Sequence, residues 1–200
     1  MERDEVKMTE SEGLLLITSM INKAKNRYTE NGVLYLLWGW LIFTCCIIQF
    51  LSTHFFNFPK AYYVWYATWG LFIYQVFYVK KRNKSRKVIM YTGEIIGYVW
   101  LVFIITYALL VFILVYLKVP EAILPAILTV FGMPTFLSGV ILKFKPLKIG
   151  GICCWILAII SPFVSFEYQY LLMACAVAAG WIIPGHLLNQ KFKKGISNGG

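Results

Sequence analysis

Along most of this chain apolar residues do not alternate with polar ones; they run together. Six long apolar stretches, at residues 32–52, 61–79, 88–117, 122–142, 149–166 and 168–188, are separated by short polar connectors. A run of about 20 apolar residues at 1.5 Å per residue covers the ~30 Å hydrocarbon layer of a bilayer. Backbone groups in that layer must be paired within the segment, which selects helices. The pattern predicts an all-α fold, a polytopic membrane helical bundle of six transmembrane helices. The third stretch is longer than a bilayer needs, so it must tilt or project beyond it.

The first 31 residues break the pattern. Over 10–29, Leu14, Leu16, Ile17, Met20, Ile21, Ala24 and Tyr28 fall on one helical face, with Thr18, Ser19, Asn22, Lys23 and Asn26 opposite. This predicts a cytoplasmic amphipathic helix that lies among headgroups or packs against the end of the bundle. Asn31-Gly32 breaks the chain before the first span. At the other end, 189–200 reads as a basic, frayed tail.

Charge orients the bundle. Lys80, Lys81, Arg82, Lys84, Arg86 and Lys87 crowd into the eight residues between the second and third spans. With this cluster in the cytoplasm, both termini and the 143–148 loop join it there. Of 19 lysines and arginines, that leaves Lys60 and Lys118 outside, as the positive-inside rule requires. The expected location is a bacterial inner membrane, and the expected partner is anionic headgroups, with a cytoplasmic protein or a second copy as further candidates.

Composition agrees. Hydrophobic residues make up 60% and charged residues 14%, whereas soluble domains carry about 25% charged residues. The net charge of +10 is spread in patches between apolar runs, which argues against nucleic acid. No basic n-region precedes the first span, so it reads as a retained anchor. The five cysteines lie inside apolar runs and read as small hydrophobes. Adjacent pairs on a helix point about 100° apart, a poor arrangement for a metal. No HExxH, GxSxG, Walker loop or CxxC occurs, so no enzyme, metal or cofactor is expected.

Polar groups inside a membrane are costly and few here. Glu94 is the acidic residue within a span, near the cytoplasmic edge, and His186 sits at a matching depth in the last span. They read either as a proton-sensitive pair or as two side chains that reach the interface separately. On an ideal helix Cys175, Ala179, Ile182 and His186 share a side, which would turn His186 inward. Ala174, Cys175, Ala178, Ala179 and Gly180 form overlapping small-xxx-small pairs and predict a helix-packing face. Pro125, Pro134, Pro162 and Pro184 predict kinks in the last three spans.

The runs ESEGLLLITSMINKAKNRYTENGVLYLLWGW, SGVILKFKPLKIGGICCW and GWIIPGHLL resemble a family of small six-span integral membrane proteins of Bacteroidota-type bacteria, which has no assigned biochemical activity. Members often accompany small winged-helix regulators, so the resemblance implies a signalling or regulatory role. Two functions are expected from the residues: a non-enzymatic membrane sensor or interaction protein with a basic cytoplasmic face, or a small transporter or channel for an apolar or weakly polar solute, proton-linked through Glu94 and His186.

Overall fold

In the computed structural model, which describes residues 13–15, 32–56, 60–84 and 91–197, Gly32 adopts a φ of 71°. That left-handed conformation suits glycine and makes the break expected at Asn31-Gly32. A Cβ there would lie 2.6 Å from the Gly185 carbonyl oxygen. From this point helix α1 runs Val33–His54, followed by a 3-10 turn Ala61–Trp65 and α2 at Tyr66–Lys84. Helix α3 is Tyr91–Tyr116; a 3-10 turn Pro120–Ala122 leads into α4, Ile123–Ile141. Helix α5 is Lys145–Ile160, with a 3-10 turn Ser161–Phe163 at its end. The last rod comprises α6 Phe166–Val177, a π turn Ala178–Ile182 and α7 Ile183–Ser197. No strand occurs among the described residues.

Among the described residues five helical segments are long and apolar enough to cross a bilayer: Val33–His54, Ile95–Tyr116, Pro120–Ile141, Lys145–Phe163 and Phe166–Lys193. The expected span at 61–79 is helical but is not among them. A 3-10 stretch occupies its first quarter, and α2 ends in Lys80, Lys81, Arg82 and Lys84. The helix therefore continues into what the sequence presented as a loop. Arg86, Lys87 and the expected amphipathic helix lie outside the described residues, except that residues 13–15 are helical with Leu14 and Leu15 exposed.

Helices α4 and α5 form a tight antiparallel hairpin. Cβ atoms added at Gly139 and Gly151 would lie 2.6 Å from Lys148 N and Phe136 Cβ, and the Trp155 indole covers Gly132. Their connector has Lys143 at φ 51°, with Phe144 N–H donating to Gly139 O at 2.9 Å and Lys143 N–H to Val140 O at 3.1 Å. The α3–α4 connector repeats this geometry with Lys118 at φ 56°, Val119 N–H to Leu114 O and Lys118 N–H to Val115 O, both 3.1 Å. Both are Schellman caps with lysine where glycine is usual. Lys145 and Lys148, expected in a loop, lie in the first turn of α5.

The last rod runs antiparallel to α1. Gly39 meets Ile182 and Trp181, and Gly185 meets Leu36 and Tyr35. On its other side Gly180 lies against Gly150, where a Cβ would sit 2.6 Å from Gly180 Cα. Close approach of this kind is how helices gain attraction without water to expel. The centre is filled by rings: Trp181 lies 4.4 Å from Phe131 and 5.4 Å from Trp100, and Trp100 lies 6.1 Å from Tyr35. Trp181 Nε1–H donates to Thr135 Oγ1 at 3.2 Å.

The rod departs from expectation at both ends of α7. Pro184 has no N–H for the Gly180 carbonyl, and the helix absorbs this as a π turn in which Ile183 N–H donates to Ala178 O. One residue more per turn shifts the phase of everything after it. Beyond it the tail is helical to Ser197 rather than frayed. Of the other prolines, Pro134 lies inside α4, whereas Pro125 is in the first turn of α4 and Pro162 in a 3-10 turn.

Candidate functional site

His54 is the last residue of α1 and Glu167 the second of α6. Because these helices run antiparallel, the carboxyl end of one meets the amino end of the other. A carboxylate suits the positive amino end of a helix dipole. The result is a contact of 2.8 Å between His54 Nδ1 and Glu167 Oε2, with the side chains 36% and 41% exposed. Aromatic rings hold the imidazole on its other sides. Phe50 stacks on it at 5.3 Å and 11°, Phe55 meets it edge-on at 4.9 Å, and Tyr168 lies 5.9 Å away.

The arrangement fixes the imidazole by one hydrogen bond to the carboxylate and by ring contacts on its faces. No group of three His, Cys, Asp or Glu capable of holding a metal occurs among the described residues. Below the pair, Gln49 is buried and Thr53 Oγ1–H donates to its carbonyl at 2.6 Å.

The residues expected from sequence fall elsewhere. His186 is exposed, at the end of the molecule that carries the lysines. The π turn corrects the ideal projection: Ile182 is buried while Cys175 and His186, expected on its side, are exposed. Glu94 lies in α3, and its side chain is outside the described residues. Of the small residues, Ala174 and Gly180 are buried, Ala178 and Ala179 half-buried and Cys175 exposed; Gly180 and Ala179 take the contact with Gly150. Lys80 is exposed at the end of α2. At the same end Lys191 Nζ lies 5.8 Å from the Phe144 ring.

The His54–Glu167 pair was missed because its members are 113 positions apart, one at the end of a span and the other at the start of another. Their shared distance from the basic patches was the available signal. Comparison with protein-family models, curated proteins and solved structures finds no match to this chain.

Proposed function

We propose that this chain is a non-enzymatic sensor or interaction protein of a bacterial inner membrane, crossing it six times with both termini in the cytoplasm. The observation that carries the reading is segregation: rings fill the middle of the bundle, while titratable and charged groups gather at its two ends. Exposed Leu101, Val102, Ile105, Leu109, Phe112 and Ile113 along α3 form an apolar flank of a kind soluble monomers avoid.

Helix α2 is the sixth crossing. Cys45 Sγ–H donates to Val64 O at 3.6 Å, and farther along Trp38 Nε1–H donates to Gln75 Oε1. The segment therefore descends antiparallel to α1 and ends in the lysines. As a surface segment it would leave residues 80–87 on the side opposite the basic amino terminus, against the positive-inside rule. The cytoplasmic face binds anionic headgroups at about 1 kcal/mol per basic residue near the surface, and offers a platform to a protein partner or second copy. His54 and Glu167 lie at the outer end of the bundle.

Cysteines introduced singly at positions 57 and 86 of a cysteine-free variant test the orientation. A membrane-impermeant maleimide on intact cells should label position 57 alone; equal labelling at both removes α2 as a crossing. The transporter reading draws on the π turn beside Pro184, since such turns accompany functional breaks in helices. Solute or proton flux through reconstituted protein would favour it over the sensor.

A further inference from the structure

On the flank between α4 and α5, at the end that carries His54 and Glu167, lies an open groove of about 520 Å³. It reaches from Glu121 at the rim past Pro125 and Ala126 to Thr129, with Ala158 on the α5 side and Gln169 beneath. A second hollow of about 290 Å³ shares Thr129 and Ala158 and extends it toward Trp155 and Ile159. The volume is that of a small-ligand site, about 300–1,000 Å³.

The polar chemistry of the groove is one-sided. The side-chain donors that border it are already used: Trp155 Nε1–H on Thr129 O at 3.1 Å, Thr129 Oγ1–H on Pro125 O at 2.9 Å, and Gln169 Nε2–H on Ser161 O and Val164 O at 3.2 and 3.4 Å. What remains are acceptors. Gln169, 3% exposed, has a buried Oε1 that finds no partner among the described residues, a state native folds rarely tolerate. Thr129 keeps its lone pairs. Glu121 is exposed, bears a negative charge, and has no ion pair among the described residues. Neither lysine nor arginine lines the groove.

We infer that this groove binds a single-chain amphiphile with a primary ammonium head, the ammonium donating to the Glu121 carboxylate and the chain lying along Pro125, Ala126 and Ala158. A free fatty acid would bring an anion to Glu121, and an alcohol would leave that charge unmatched. Phosphatidylethanolamine carries a suitable ammonium, but its phosphate would lie beside Glu121 with no cation lining the groove to offset it. The proposal rests on the membrane placement above and not on the sensor role.

The test uses the full chain in nanodiscs of phosphatidylcholine and phosphatidylglycerol, with dodecylamine carrying a diazirine at the end of its chain as the probe. Co-elution with the nanodisc reads the membrane placement separately. Photolabelling should concentrate on peptides containing Ala126–Thr129 or Ala158–Ile159, and dodecylamine should compete where dodecanoate and dodecanol do not. Glu121→Gln should weaken labelling about tenfold, the scale of one charge-assisted hydrogen bond, and Ala126→Trp should abolish it by filling the groove. Label spread evenly along α3, labelling unchanged in both variants, or equal competition by dodecanoate would overturn the proposal. Displacement by phosphatidylethanolamine as effective as by dodecylamine would overturn the single-chain assignment.

Discussion

At the scale of single residues, the glycines divide sharply by what surrounds them. A methyl group at Gly150 would press on backbone, 2.6 Å from Gly180 Cα and 2.8 Å from Ala179 O, whereas Gly97 faces open space. Gly150→Ala should therefore destabilise the protein by about 1–3 kcal/mol, the usual cost of overpacking. Gly97→Ala should stay within about 0.5 kcal/mol; thermal unfolding of the detergent-solubilised protein compares them. Lys118 tells the converse story, an L-residue held at φ 56°. Lys118→Gly should raise stability by at most about 1 kcal/mol, and a loss would mean that its charge at the helix end outweighs the backbone strain. Gly32 was legible as a break because glycine announces such conformations. Lys118 and Lys143 were not, since a lysine in a connector announces only charge.

Between elements, the outcome turns on phase and on which helix ends meet. Pro184 was visible in the chain, but whether the helix would kink or insert a π turn was not, and that choice puts Cys175 out of phase with Ile182. The Thr135–Trp181 hydrogen bond is buried and ties α4 to the rod. Thr135→Val should cost about 1–3 kcal/mol by leaving the indole N–H unpaired, seen as a lower unfolding midpoint. The His54–Glu167 contact joins α1 to α6 in half-exposed surroundings, so a double-mutant cycle with His54→Gln and Glu167→Gln should give a coupling of no more than about 1 kcal/mol. A much larger coupling would show that the aromatic rings exclude water from the pair.

For the whole molecule, runs of apolar residues were enough to locate five membrane-length helices, because length and composition alone decide that property. They could not show that α2, the most polar of the long helices, follows α1 so closely, nor that the first and last long helices are neighbours. That adjacency has a consequence for biosynthesis. Helices α4 and α5 meet through a connector of a few residues and can pair as soon as they leave the ribosome. The groove in α1 made by Gly39 waits for Trp181 and Ile182, and its end at His54 waits for Glu167. At about 5–20 residues per second, the roughly 110 residues between them take on the order of 5–20 s to emerge. During that interval α1 has α2 beside it but not the last rod, so this face of the bundle closes last, from the carboxyl end. A chain stopped before Phe166 should be left as an orphan helix set, and pulse-chase in cells with and without membrane proteases should show it degraded far faster than the complete chain.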